Sequence, residues 1–175
     1  MNYLIVVDMQ NDFVSGALGT AEAARIVPRV ARRIAESSTE RLVFTRDTHG
    51  ADYRKTQEGR NLPVPHCVEG TWGWEIVSEL ADCAAGAAVV DKPTFGSANL
   101  GEILREADRA ERVEKVTLIG LCTDICVISN ALLVKAFLPE AEVCVDAACC
   151  AGVTPESHAT ALSAMKMCQI TVENA

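Results

Sequence analysis

VTLIGLCTDICVISNALLVKAF, residues 116–137, changes its period halfway along. VTLIG (116–120) is a continuous apolar run, the pattern of a strand covered on both faces. From Asp124 to Phe137 the apolar residues recur at three and four positions, the pattern of a helix with one buried face. A buried strand running directly into a helix is the repeating unit of a parallel α/β sheet.

The same unit recurs on both sides of this stretch. Short apolar runs appear at YLIVV (3–7), RLVFT (41–45), AAVVD (87–91), EVCVD (142–146) and QITV (169–172). Helical spacing is expected over 22–37, 74–82, 99–110 and 155–167, as in Ile26, Val30, Ala31 and Ile34. Thr154, Pro155 and Glu156 read as an N-cap, a first-turn proline and an acidic first turn, and Pro139 closes the preceding helix. The expected fold is α/β, an open doubly wound parallel sheet with helices on both faces, built as one domain over 1–175. One segment breaks the spacing. RDTHGADYRKTQEGRNLPVPHCVEGTWG (46–73) is polar, rich in Gly and Pro and without helical period, and loops this long inside a compact domain usually serve function.

Composition removes several classes of function. A formal net charge of -8, with 16 scattered Lys and Arg, argues against a nucleic-acid or anionic-membrane surface. No apolar run approaches the ~20 residues of a bilayer span, and MNYLIVVDMQ lacks the marks of a signal peptide, so a cytoplasmic protein is expected. Most of the eight cysteines lie in strand-like or helix-like apolar stretches, as at Cys83, Cys144 and Cys168, and read as reduced core residues.

In an open parallel sheet, ligands bind beyond the carboxyl ends of the strands. Asp8 ends YLIVVD, Lys92 follows VVD, and Cys126 stands in the first turn of the helix that leaves VTLIG. Taken singly, Asp8 reads as a turn former and Lys92 as a solvated surface residue. Together they form a working nucleophile: a thiol near unpaired helix N–H groups that lower its pKa, a carboxylate to take its proton, and an ammonium compatible with both anions. The polar loop holds a second group. Asp47 and His49 stand two apart after RLVFT, and His66 follows seventeen residues later. One carboxylate and two imidazoles suit zinc, iron or manganese with open positions, although a DxH pair is also a common hydrogen-bonded turn. His158, in TPESHATAL, reads as an exposed, solvated residue.

VVDMQNDF (6–13), RDTH (46–49) with VPHCVEGTWG (64–73), DKPTFGSANL (91–100) and GLCTDICV (120–127) together resemble the isochorismatase-like cysteine hydrolases, a superfamily that includes nicotinamidases and N-carbamoyl amide hydrolases. The resemblance runs nearly the whole chain. It implies a three-layer fold with a six-stranded parallel sheet and a catalytic triad falling on Asp8, Lys92 and Cys126. It further implies an oxyanion hole from the backbone N–H groups of Cys122 and Cys126, with a cis peptide before Cys122. Asp47, His49 and His66 match the metal ligands of the nicotinamidase branch, zinc foremost. The expected reaction is hydrolysis of a small amide through a thioester, in a homodimer or homotetramer.

The chain also departs from the family pattern. Gly50 to Lys55 contain no further histidine, Pro63 stands where an aromatic is usual, and the frequent SAF after the lysine reads SAN, with Asn99 in place of the ring. Phe13 is expected to stack on an aromatic substrate, with Tyr53, Trp72 or Trp74 supplying a replacement wall beside Asn99. Two other readings stay open. One is a metal-independent isochorismatase-like or N-carbamoyl amide hydrolase, with the loop histidines structural. The other is a redox or metal-binding module of Cys122, Cys126, Cys149 and Cys150. Against it, Cys122 and Cys126 lack CxxC spacing and adjacent cysteines in a strand point apart.

Overall fold

The computed structural model of the protein describes residues 1–175. Its six strands are β1 (Asn2–Val7), β2 (Glu40–Asp47), β3 (Ala88–Lys92), β4 (Lys115–Leu121), β5 (Glu142–Ala151) and β6 (Thr171–Glu173). They form one sheet in the order β3-β2-β1-β4-β5-β6, and every pair is parallel. The chain builds outward from β1 in one direction, then crosses to β4 and builds in the other. β1 and β4 are therefore central, and the switch point between them is where a doubly wound sheet opens a crevice.

The continuous apolar character of the central strands has its expected cause. Along β1, Tyr3, Ile5 and Val7 enter one core, while Leu4 and Val6 enter the other. The first core is closed by α5 (Ala98–Ala110), α6 (Ile128–Phe137) and α7 (Pro155–Met167) through Leu100, Leu104, Ala131, Val134, Leu162 and Met165. The second is closed by the short α1 (Asn11–Val14) through Phe13 and Val14, and chiefly by α2 (Ala21–Ala35) through Ala23, Ile26, Val27, Val30 and Ile34. Burying each such side chain contributes on the order of 1.5–3 kcal/mol, so these two stripes supply the main drive for the three-layer arrangement. Thr20 caps α2 by accepting from Ala23 N at 3.0 Å. At α7, Thr154 and Ser157 form a reciprocal capping box with Pro155 in the first turn.

Three expectations about elements change. The helix expected over 74–82 is broken into a turn at Ser78–Leu80 and the short α4 (Ala81–Ala85), because Val77 N bonds back to Met9 O and ties that segment to the end of β1. The long loop contains its own small helix, α3 (Gln57–Asn61), capped by Thr56. β5 runs five residues beyond its expected end, through Ala151, and its register against β4 is irregular between Leu118 and Gly120. Cys149 and Cys150 thus lie in a strand and enter opposite cores. The four cysteines of the redox reading do not converge.

β4 packs tightly against β1 at Gly120, whose φ is +113°. An added methyl there would fall inside contact distance of Val7 N, C and O. Left-handed backbone and close approach both require glycine. We expect Gly120→Ala to cost about 3 kcal/mol or more, read as a lowered thermal midpoint, with poor yield of folded protein as the extreme case.

Candidate active site

Three strand ends and one helix start bring the charged groups together. Asp8 follows β1, Asp47 ends β2, Lys92 ends β3, and Cys126 lies in the turn between β4 and α6. That turn, Thr123–Val127, is wider than an α-helical turn: Val127 N bonds to Cys122 O five residues back, at 3.0 Å. The Leu121–Cys122 peptide that leads into it is cis.

Lys92 is fully buried, and its ammonium is the hub. Nζ lies 2.7 Å from Asp8 Oδ2, 3.3 Å from Asp47 Oδ1, 3.2 Å from Thr94 O and 3.5 Å from Cys126 Sγ. Asp8, also fully buried, accepts from Thr45 Oγ1 at 2.6 Å through Oδ1. Its Oδ2 contacts Lys92 as an ion pair without an aligned hydrogen bond, so it remains available as an acceptor. Asp8 also has φ +48°, an uncommon conformation for a non-glycine residue and one that Asp tolerates better than most.

Burial raises the Asp8 carboxyl pKa despite the pull of Lys92. Lys92 is pushed up as well, because Asp8, Cys126 and Asp47 outweigh its own burial. The thiol runs against expectation. Burial first, and then the charge of Asp8, lift Cys126 well above the ordinary thiol range. Helix-start N–H groups and a lysine favour thiolate, but the thiol is almost completely desolvated beside a carboxylate. Burial therefore works against thiolate at Cys126, and the Lys92 ammonium bridges the sulfur and the Asp8 carboxyl group.

Asp47, His49 and His66 are buried, and one ligand atom from each lies within 4.8 Å of the other two. His49 Nε2 is 2.9 Å and His66 Nε2 3.6 Å from Asp47 Oδ2. His66 Nδ1 lies 2.9 Å from Val64 O and donates to it, which leaves the Nε2 lone pair facing the cluster. His49 Nε2 is buried with no aligned hydrogen bond. A buried carboxylate with two imidazole nitrogens turned inward fits a divalent cation. Glu58, on α3, is a residue that no sequence motif singles out. Its Oε1 lies 3.6 Å from both imidazole Nε2 atoms and adds a second carboxylate. Thr56 followed by acidic Glu58 is a helix-start pattern that would have marked this turn.

Between the two groups opens a cavity of about 290 Å³. Cys122, Cys126, Asp47, His66 and Glu58 face it, with Phe13, Leu18, Leu62, Phe95 and Ile125 as apolar walls and Gln57 and Asn61 as polar ones. Of the expected wall residues, Phe13 is there. Tyr53 is instead packed behind the imidazoles, 4.7 Å from His49 and 5.0 Å from His66 between ring centroids, with its hydroxyl donating to Leu62 O. Trp72 is 59% exposed on the rim of a different groove, and Asn99 is exposed in the first turn of α5. Phe95, four residues before Asn99 and 47% exposed, lines the cavity instead. His158 is also displaced from expectation: its Nδ1 lies 2.8 Å from Thr123 Oγ1.

The QND of DMQNDF staples the long loop onto this floor. Gln10 Nε2 donates to Asp47 O and Trp74 O, each at 2.8 Å, while its Oε1 accepts from Asp47 N at 2.7 Å. Asn11 Nδ2 donates to Trp72 O at 2.7 Å, and Asp12 Oδ2 accepts from Cys67 N at 2.8 Å.

A model of the isochorismatase domain family matches residues 2–175. The nicotinamidase/pyrazinamidase of Mycobacterium tuberculosis is 31% identical over 144 residues, 75% of this chain and 77% of that one. The crystal structure of the nicotinamidase/pyrazinamidase of Bacillus subtilis superposes with a TM-score of 0.82 at 30% identity, covering 99% of each chain. The pyrazinamidase of Pyrococcus horikoshii, solved in complex with zinc, gives a TM-score of 0.80 at 30% identity over 98% of this chain and 97% of that one. The chain belongs to the isochorismatase domain family and is an amidohydrolase.

The raised thiol makes a direct prediction. Because burial and Asp8 move the Cys126 pKa upward, its thiolate fraction should grow about tenfold per pH unit across the neutral range. Peptide-resolved alkylation of Cys126 should keep accelerating through pH 8.5. A plateau below pH 7 would mean an acidic thiol.

Proposed function

We propose that this chain hydrolyses the carboxamide C–N bond of a small planar amide of the nicotinamide class, releasing the acid and ammonia through a thioester on Cys126. The observation that carries the reading is the Lys92 ammonium in contact with both Asp8 and Cys126 beneath a small, mostly apolar cavity. The relatives' activities support the substrate class.

In this reading Asp8 takes the Cys126 proton as the sulfur attacks the carbonyl carbon, so thiolate forms only as the new bond does. A thiol kept neutral by burial beside a carboxylate of raised pKa suits that order, since burial makes the carboxylate a stronger base than it is in water. Lys92 keeps one net positive charge beside whichever partner carries the negative one. The backbone N–H groups of Cys122 and Cys126 hold the developing oxyanion, a role in which losing one donor costs on the order of 10²–10³ in rate. Asp8 then gives its proton to the departing amine, and a water deprotonated by Asp8 cleaves the thioester. Phe13 and Phe95 offer apolar faces to a flat ring.

Asp47, His49 and His66 would hold a divalent metal, zinc by analogy with the zinc-bound pyrazinamidase, with Glu58 placed to approach it. When bound, such an ion supplies Lewis-acid polarisation of a substrate oxygen or nitrogen.

Ammonia release from nicotinamide, pyrazinamide and small carbamoyl compounds tests the reading. Cys126→Ala should lower kcat by about 10³-fold or more with the melting temperature retained, whereas Cys122→Ala should stay within about tenfold because only its backbone is used. Equal losses in the two variants would overturn the assignment. Protein purified without chelator should carry close to one divalent metal per chain by elemental analysis, and His49→Ala with His66→Ala should abolish it. A metal content unchanged by that double substitution would show the site lies elsewhere.

A further inference from the structure

The turn that carries Cys126 is held from outside the cavity by the start of α7. Thr123 is fully buried, and its hydroxyl makes one polar contact, to His158 Nδ1 at 2.8 Å. Both carboxylate oxygens of Asp124 accept from Val153 N at 3.2 Å. These partners flank the capping box of Thr154 and Ser157, which fixes how α7 begins. Gly152 adds a steric stop, since a Cβ there would meet His158 N, Cα and Cβ. The imidazole is therefore seated by its own helix and by the end of β5. It reaches Thr123, the residue directly after Cys122 and three before Cys126.

We propose that His158 is a positioning residue for the nucleophile: by gripping the Thr123 hydroxyl it sets the rotation of the turn and so aims Cys126 Sγ at Asp8 and Lys92. His158 touches none of the reacting groups and acts only through Thr123. A wide turn has more freedom to rotate than a regular helical one, because its five-residue hydrogen bond leaves the intervening peptides less constrained. A buried threonine side chain with a single polar partner is an effective pin against that rotation: without the bond, the hydroxyl would be left unsatisfied in the core. The inference rests on Cys126 being the nucleophile of the proposed reaction, but its geometry is independent of which amide is cleaved.

The test compares His158→Ala, His158→Asn, Thr123→Val and the Thr123→Val/His158→Ala double variant. Each is read by melting temperature, by kcat and KM on the amide that the wild type turns over, and by peptide-resolved iodoacetamide labelling of Cys126. The exposed Cys168 serves as an internal standard. His158→Ala should lower kcat by about tenfold with KM within about twofold, and should change the Cys126-to-Cys168 labelling ratio at least threefold. His158→Asn, whose amide places a polar atom near the Nδ1 position, should recover most of both. Thr123→Val should match His158→Ala, and the double variant should be no worse than either single one. Unchanged labelling ratios, or activity losses that follow melting temperature and are not recovered by asparagine, would overturn the proposal. If the wild type cleaves no amide tested, the functional reading fails alone, and the labelling ratios still decide the role of His158.

Discussion

A fully buried ammonium organises this molecule. Lys92 has no water to solvate it, and leaving such a charge uncompensated would cost several kcal/mol, so the fold must bring it anions and acceptors. They come from Asp8, Asp47, Thr94 O and Cys126, three of them from separate strand ends and turns. The parallel registers of β1 with β2 and of β2 with β3 place Asp47 directly beside Lys92 and two residues beyond Thr45, the partner of Val7, after which Asp8 follows. Sheet geometry and charge compensation therefore select the same arrangement. Removing one anion would leave the others in a different balance, which is why the acid, the thiol and the metal-type cluster cannot be treated as separate sites.

Asp47 joins the two halves of the site. One of its oxygens faces Lys92 and the other faces both imidazoles. Burial alone would raise its pKa, but His49, His66 and Lys92 together hold it below the ordinary value. Gln10 fixes this residue from behind by bonding to its backbone N–H and carbonyl at once. The same motif that begins with Asp8 thus also sets the position of the metal-type cluster. The long loop closes over both, held by side-chain bonds where its own backbone forms little regular structure.

Much of the candidate site is legible in the sequence. A continuous apolar run ending in Asp, Lys or a cysteine-bearing helix start is a local pattern, and the strand-end rule converts it directly into spatial neighbourhood. The pocket walls were not legible in that way. Trp72 was an attractive candidate ring because of its residue type, but Asn11 grips its carbonyl and its side chain is left exposed on the rim of a different groove. Phe95 reaches the cavity, four residues from the Asn99 that the family pattern singled out. Glu58 and Tyr53 gain their places through the small helix α3 and the turn just before it, inside a segment with no visible period. The thiol departs from its expected acidity for another reason: dipole and charge neighbours follow from spacing, whereas desolvation depends on everything packed around the group.

The sequence by itself determined the sheet, its doubly wound order and the identity of the groups at its carboxyl edge, because strand burial and helix capping are written in short-range patterns of apolar and polar residues. Tertiary structure alone decided which rings face the cavity, how far Cys126 is desolvated, that Glu58 joins the imidazoles, and that His158 bonds to Thr123 in the turn that carries Cys126. Most of those depend on contacts between residues tens of positions apart, and Glu58 reaches the imidazoles through the folding of its own loop. Their distances are set by how loops close over the sheet, which no local pattern encodes.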